Sequence, residues 1–118
     1  MSDSILRDKS KDFAKQIVFL NHKLRQDYEI HVLLNQLLRS GTSIGANIHE
    51  AQYAQSTLDF ISKLEIALKE CAETSYWLEL LFETGHLEEA DFRPLIGECG
   101  LIRKMLISSC KTLKNNEN

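Results

Sequence analysis

Two glutamates one helical turn apart are the residues of this sequence best placed for chemistry. Glu70 and Glu73 lie in the segment ALKECAETSYWL, and their spacing of three places both carboxylates on one face of a helix. Paired carboxylates can divide the roles of general acid and general base. Ile66 and Trp77 share the same stripe at helical spacing, so the two acids sit between apolar neighbours. Because buried acids are costly without partners, the alternative is a structural polar network.

The structural alternative is favoured because no histidine or second acid pair is placed to complete a catalytic site. We therefore predict that the protein is not an enzyme. The polar residues are expected to form a buried network that fixes helix register or a subunit interface. Its predicted members are Arg39, Ser43, Asn47, Glu50, Glu70 and Glu73.

Motifs for metals and nucleotides are present only in part. The segment HEAQY begins like a zinc-protease helix, but Tyr53 stands where the second histidine is required. Glu83 and His86 have the spacing of di-iron bundles, yet Gly85 interrupts the helix and no second copy exists. Three cysteines without a CxxC pair indicate reduced thiols rather than a disulfide framework or zinc cluster. We predict no metal and no cofactor.

The elements that must position these residues are helices. Apolar residues recur at alternating steps of three and four, and strand signals are absent. Short connections predict an all-α, up-down-up-down four-helix bundle in a single domain, residues 1–118. The predicted helices span about 4–25, 29–54, 57–83 and 88–114. The apolar stripe of the third comprises Ile61, Leu64, Leu68, Cys71, Ser75, Leu78 and Phe82.

The stretch SGTSIGANIHEA, residues 40–51, has the composition of a loop but the spacing of a helix. It ends without the GKS or GKT of a phosphate-binding loop. Glycine in a helix interior costs about 0.5 to 1 kcal/mol relative to alanine, so we predict that Gly41 and Gly45 allow close helix packing in return. The unbroken stripe is Ile30, Leu34, Leu37, Gly41, Ile44, Ile48 and Ala51.

Apolar residues outside the stripes exceed what a monomeric bundle must bury. Contiguous exposed apolar surface usually marks an interface, so the excess predicts self-association. The alternative is that some of these residues widen the core. They are Val18, Phe19, Ile66, Trp77, Leu80, Leu101 and Met105.

Two patterns, SIGANIHEA and ALKECAETSYWL, give the sequence a family resemblance that covers nearly the whole chain. It resembles the small four-helix-bundle proteins encoded in intervening sequences of bacterial large-subunit ribosomal RNA genes, whose relatives include accessory proteins of diversity-generating retroelements. The resemblance implies a helical protomer that assembles into a ring-like homopentamer, a role in binding nucleic acid, and no enzymatic activity. The matched positions are Arg39, Ser43, Gly45, Asn47, Glu50, Glu70, Glu73, Tyr76 and Trp77.

Charge is unevenly distributed along the chain. The net charge of −3 disfavours a dedicated nucleic-acid binder, since phosphate affinity comes largely from Lys and Arg. Residues 50–98 hold three basic and eleven acidic side chains, whereas residues 99–118 hold four and one. In the predicted topology, one end of the bundle, here called the basic end, gathers Arg7, Lys9, Lys11, Lys15, Lys111 and Lys114, with Lys63 nearby. The opposite, acidic end gathers Glu79, Glu83, Glu88, Glu89 and Asp91.

Two functional hypotheses follow from these patterns. The first is a homo-oligomeric protein that binds RNA or DNA through backbone phosphates at the basic end. The alternative is an oligomeric scaffold that recruits a protein partner, with the charges serving only as a solvated surface. No aromatic residue interleaves the basic ones, so no base-stacking platform is predicted. The charged N-terminus and the lack of an apolar run of about 20 residues predict a cytoplasmic protein without a membrane span.

Overall fold

The chain folds into four antiparallel α-helices. The computed structural model describes the backbone of residues 2–117 and the side chains of residues 4–116. Helix α2 packs against both α1 and α3, and α4 packs on α3 and closes against α1. No strand occurs within residues 2–117, so the all-α four-helix prediction is confirmed. The helices are α1 (Ser2–Leu24), α2 (His31–Ala51), α3 (Thr57–Glu83) and α4 (Glu89–Glu117), with a 3-10 turn at Tyr28–Ile30 before α2.

Contacts between helix ends show the alternating direction of the helices. Arg7, near the start of α1, donates a hydrogen bond to Gln52, just past the end of α2. At the other end of the bundle, Lys23 of α1 forms a 2.9 Å ion pair with Asp91 in the first turn of α4. The starts of α1 and α3 and the ends of α2 and α4 therefore lie together, as the sequence predicts.

None of the described helices combines the length and apolarity that crossing a membrane requires.

Helix boundaries match the predictions for α3 and differ elsewhere. The predicted second helix, 29–54, was wrong at both ends, because residues 29 and 30 belong to the 3-10 turn and α2 ends at Ala51. Beyond it, Gln52 and Tyr53 bond to carbonyls three residues back, at 3.2 and 2.9 Å, which tightens the chain into a turn. Helices α1 and α4 extend past their predicted ranges by two and three residues at the outer ends.

Capping contacts fix both ends of α3. The Ser56 hydroxyl accepts a hydrogen bond from the Asp59 amide at 3.0 Å, which satisfies one of the unpaired donors of the first turn. At the other end Gly85 has φ +83°, the left-handed conformation that glycine adopts without strain. The His86 amide then donates to the Leu81 carbonyl at 2.9 Å. Gly85 thus ends the third helix as its position predicts.

The core lies along the facing stripes of the helices. Every member of the predicted α2 stripe is buried, Gly41 included. On α3 the predicted stripe is confirmed at Ile61, Leu64, Cys71 and Leu78. It was wrong by one residue at the other three positions, where Ala67, Thr74 and Leu81 are the buried residues. Helix α3 contacts α2 on one side and α4 on the other, so its innermost line runs between these two contacts. Half-buried instead are Leu68, Ser75 and Phe82.

The buried hydroxyls of α2 and α3 satisfy one another. Thr74 Oγ1 lies 3.0 Å from Ser40 Oγ and 2.7 Å from the Glu70 carbonyl oxygen. Both side chains are fully buried, where an unpaired hydroxyl would be costly. Within the described residues, no buried side-chain nitrogen or oxygen lacks a hydrogen-bond partner.

The two glycines of α2 bring that helix close to α1. A Cβ atom at Gly41 would lie 3.0 Å from both Cγ1 and Cγ2 of Ile17. One at Gly45 would lie 3.2 Å from the carbonyl oxygen of Ser10. Both contacts are tighter than a side chain normally tolerates, so the close packing predicted for these positions is present. Both glycines face the same neighbour, α1.

We expect Gly41→Ala to destabilise the protein by about 1 to 2 kcal/mol. The added methyl group presses on the stiff, fully buried Ile17, and overpacking of this kind outweighs the gain in helix propensity of about 1 kcal/mol. Denaturant unfolding followed by far-UV circular dichroism, at one protein concentration, measures the change.

Gly97→Ala in α4 is the matched control. A Cβ atom added at this exposed helical glycine would meet no other atom within 4 Å, so the same substitution should raise stability by about 0.5 to 1 kcal/mol. Equal stabilisation by both substitutions would contradict the close contact at Gly41.

Candidate functional site

The basic end carries a line of cationic side chains along α1. Arg7, Lys11 and Lys15 follow one another at intervals of four residues, which places them on one face of the helix. Lys11 and Lys15 are exposed, and Arg7 is half-buried. Lys9 is half-buried on another side of α1, and Lys111 is exposed near the end of α4. Arg7, Lys9, Lys11 and Lys111 therefore share one end of the bundle, although not one face, whereas Lys15 lies near the middle of α1, so its predicted place at this end was wrong.

A groove of about 610 Å³ lies between α1 and α2 beside this line. Its floor is shallow because the residues that meet there are small, including Gly45, Ala46 and Ala14. Cationic groups from α1 and the imidazole of His49 from α2 stand at its edges, together with one carboxylate, Asp8. The lining residues are Arg7, Asp8, Lys11, Ala14, Thr42, Gly45, Ala46 and His49.

Among the side chains of residues 4–116, two of the seven predicted basic residues pair with carboxylates. Lys63 Nζ lies 3.1 Å from Glu50 Oε1, and Lys114 Nζ lies 2.6 Å from Glu65 Oε2. The hydrogen bond and the charge of Glu65 raise the pKa of Lys114, which keeps its ammonium group protonated. Their charges are therefore offset locally. The positive potential of the basic end comes chiefly from α1 and from Lys111.

A polar cluster joins α2 to α3 on the opposite side of α2. Arg39 Nη1 donates to Glu70 Oε2 at 3.2 Å, and Arg39 Nη2 donates to Glu73. The indole nitrogen of Trp77 donates to the same Glu73 carboxylate at 3.0 Å. The Arg39 hydrogen bond, followed by that from Trp77, lowers the pKa of Glu73. The hydrogen bond to Glu73 in turn raises the pKa of Arg39.

The predicted network is smaller and more exposed than the sequence suggests. Arg39 does bridge Glu70 and Glu73, but 48% of its side chain is accessible in the single chain, so the protomer alone does not bury the network. Asn47 instead donates to the Ser43 carbonyl of its own helix at 2.9 Å. Glu50 and Lys63 form a separate pair, and Ser43 lies half-buried away from the carboxylates. Ser43, Asn47 and Glu50 share the helix face of Arg39 but lie one to three turns further along α2, toward the start of the antiparallel α3 and away from its acids.

The partial metal motifs remain dispersed in space. Within the described residues, no three His, Cys, Asp or Glu side chains converge on a common point. His49 makes an edge contact with the ring of Tyr53, at 5.8 Å between centroids. His86 lies 3.0 Å from the Thr84 hydroxyl and 3.8 Å from Asp27.

Two features near the basic end were not predicted from the sequence. Tyr53 is 76% exposed in the turn after α2, at the basic end, a position that the lack of aromatic residues between the basic ones in the sequence did not indicate. A second groove of about 800 Å³ lies between this turn and α4, where Phe60, Met105 and Leu113 meet several hydroxyl side chains. Neither feature has a sequence signal, because segments distant along the chain form each one.

Comparison with known proteins places the chain in a family. The family model described as 23S rRNA-intervening sequence protein matches residues 2–108. The chain belongs to this family. It is similar, at 49% identity and a TM-score of 0.90, to the crystal structure of a protein with unknown function from the S23 ribosomal protein family of Bacteroides thetaiotaomicron VPI-5482. That similarity covers 94% of this chain and 99% of that chain. No curated protein matches the chain.

Membership of the 23S rRNA-intervening sequence protein family confirms the resemblance carried by the two sequence patterns. The structure gives those patterns a physical basis. From the first pattern, Gly45 lies against the backbone of α1. From the second, Glu70, Glu73 and Trp77 contact one another or Arg39 in the polar cluster. The two patterns thus include residues that join α2 to each of its neighbours.

The pH dependence of Trp77 fluorescence should report the ionisation of Glu73. Because Arg39 and Trp77 hold the pKa of Glu73 below its ordinary 4.5, their stabilising contact is complete above that pH. This stabilisation is lost as the pH falls through the lowered pKa of Glu73 in the folded protein. In Arg39→Met the pKa should rise, and the emission change should move to higher pH. The free energy of unfolding of this variant should also approach that of the unaltered protein as the pH is lowered.

Lys69→Met is the control, since it removes a neighbouring exposed cation of α3 from outside the cluster. It should leave the fluorescence midpoint in place. Far-UV circular dichroism at each pH separates ionisation from unfolding. An identical midpoint in the unaltered protein and Arg39→Met would show that the ion pair does not control Glu73.

Proposed function

We propose that this protein is a non-enzymatic, self-associating helical bundle that binds RNA or DNA through backbone phosphates at its basic end. The observation that carries the proposal is the line of Arg7, Lys11 and Lys15 beside the groove between α1 and α2. Cations spaced by one helical turn along a groove can contact successive phosphates and release their counterions. Lys111 adds a further exposed cation from α4 at the same end.

The acidic groups favour phosphate contact at this end over the other, although the exposed Asp8 and Asp12 of α1 reduce its positive charge. Exposed carboxylates of Glu83, Glu88 and Glu89 lie around the opposite end, where they repel phosphate. The net charge of −3 therefore does not describe how charge is distributed between the two ends of the bundle. Binding of this kind reads the backbone, so we expect little sequence preference.

The non-enzymatic part of the proposal rests on the polar cluster. The two carboxylates that could act as acid and base are both held by Arg39, and one also accepts from Trp77. An acid/base pair needs one member with a raised pKa, whereas the contacts here lower the pKa of Glu73. We assign the cluster a structural role.

The three free, buried cysteines suit a reducing compartment, and we propose that the protein acts in the cytoplasm.

Exposed apolar side chains support self-association. Phe19 is 71% exposed on α1, and Val18 beside it is half in solvent. Ile66 on α3 and Leu101 on α4 are exposed to a similar extent as Val18. Isolated apolar residues are normal on a surface, but these occur on three helices, and Phe19 and Ile66 each line a groove. The family resemblance implies five subunits, and we adopt that number for the proposal.

Light scattering tests the assembly. We expect a mass about five times the 13.5 kDa of one chain at micromolar concentration. Phe19→Glu and Ile66→Glu each place a charge in an exposed apolar position, so at least one of them should reduce the mass without changing the helical signal. A monomeric mass for the unaltered protein would contradict self-association.

Nucleic-acid binding should depend steeply on salt and on the basic end. In fluorescence anisotropy with labelled RNA or DNA, we expect binding at about 50 mM salt that weakens strongly by about 200 mM. Lys11→Glu and Lys111→Glu should each weaken binding and reduce the slope of log K against log salt by about 1.

Lys69→Glu makes the same charge change in the middle of α3 and serves as the control. It should leave the slope nearly unchanged. The absence of binding at low salt would reject phosphate recognition and favour the scaffold hypothesis. Equal losses from Lys11→Glu and Lys69→Glu would show that overall charge, rather than the basic end, governs the affinity.

A further inference from the structure

His49, which lines the groove between α1 and α2, contacts an exposed aromatic ring, that of Tyr53. Tyr53 is 76% exposed, which is high for a large aromatic side chain. The turn that carries it is ordered by backbone hydrogen bonds, including one of 2.9 Å from its own amide to the Glu50 carbonyl. The ring of His49, one helical turn earlier, meets it edge to face at 61°. This contact orients the Tyr53 ring and leaves most of its surface open.

The same pair adjoins the cationic line of α1. His49 lines the groove together with Arg7 and Lys11. Arg7 also donates a hydrogen bond to the side chain of Gln52, the residue before Tyr53, which ties the turn to the start of α1. An aromatic face and cationic groups are thus combined within one short stretch of surface.

Two carboxylates near this surface must be included in its charge. Asp8 lines the groove and reduces its positive potential. Glu50 lies between His49 and the turn, but Lys63 pairs with it at 3.1 Å and offsets its charge. Arg7 and Lys11 therefore leave the groove with an excess of positive charge.

We propose that Tyr53, oriented by His49, is a base-stacking platform that makes the groove selective for single-stranded nucleic acid. The inference rests on the proposed function and names the class of ligand for that site. Proteins that bind single strands combine a cationic groove for the backbone with aromatic rings on which bases stack. In a duplex the base faces are already stacked on one another, so Tyr53 has nothing to contact. RNA and DNA single strands offer the same base faces and phosphates.

The test compares Tyr53→Ala with the unaltered protein on single strands and on a duplex. Labelled RNA and DNA strands of about 16 nucleotides, the upper range for one small binding module, serve as probes with the matching duplex. Tyr53→Ala should weaken binding to both single strands by about fivefold or more and leave duplex binding unchanged. Tyr53→Phe and Tyr53→Trp should retain the affinity, because they keep an aromatic face.

Tyr28→Ala is the matched control. Tyr28 is 83% exposed and also contacts a histidine, His31, at 4.8 Å between ring centroids. It lies at the opposite end of the bundle, between Asp27 and Glu29. Removing this ring should not alter single-strand affinity. An equal loss from Tyr28→Ala and Tyr53→Ala would overturn the assignment.

Salt dependence separates stacking from phosphate contact. Tyr53→Ala should lower affinity by a similar factor at about 50 and 200 mM salt, whereas Lys11→Glu should flatten the dependence. If Lys11→Glu weakens binding and Tyr53→Ala does not, the stacking platform is rejected and the proposed function stands. A loss that is equal on single strands and duplex also rejects stacking. If no probe binds, the proposed function fails together with this inference.

Discussion

The close approach of α1 and α2 at two glycines is the constraint on which the rest of the structure depends. Helices that meet through larger side chains lie about 8 to 10 Å apart, and the missing Cβ atoms of Gly41 and Gly45 remove the bulk that sets this distance. Ile17 and the backbone of Ser10 occupy the space. The same small residues leave a shallow groove along the outside of the contact. The feature that holds the first two helices together therefore also shapes the surface beside the cationic line.

Hydrophobic periodicity was sufficient to predict most of the fold. It identified α2 as one helix through a loop-like composition, because the step of three and four residues was unbroken from Ile30 to Ala51. It could not locate the end of α2, since Ala54 continues an apolar composition after the chain has turned. On α3 it chose the wrong one of two adjacent residues at three of the seven stripe positions. Adjacent apolar positions such as Ala67 and Leu68 fit either stripe, and only packing against two helices decides between them.

The polar contacts were predictable where the partners share a stripe and unpredictable where they depend on helix rotation. Arg39 pairs with the α3 acids because both lie toward the same side of the α2–α3 contact. The Lys114–Glu65 pair joins the end of α4 to the first half of α3, and no local pattern relates those residues. The exposure of Tyr53 depends on a turn that the periodicity did not show. Charge counts along a chain therefore overstate the free positive charge of the folded surface.

The polar cluster links the stability of the protomer to its proposed assembly. Only 17% of the Glu70 side chain is accessible, whereas Arg39 and Glu73 are about half and one third exposed. Ion pairs at this level of exposure contribute little to stability because solvent screens them. Arginine, tryptophan and tyrosine dominate the energetics of protein interfaces, and Arg39, Trp77 and Tyr76 lie together on this surface. Covering the cluster with a second copy would strengthen its charge-assisted hydrogen bonds by excluding water. The proposed self-association would therefore give a larger stabilising role to a cluster whose exposed ion pairs add little to an isolated bundle.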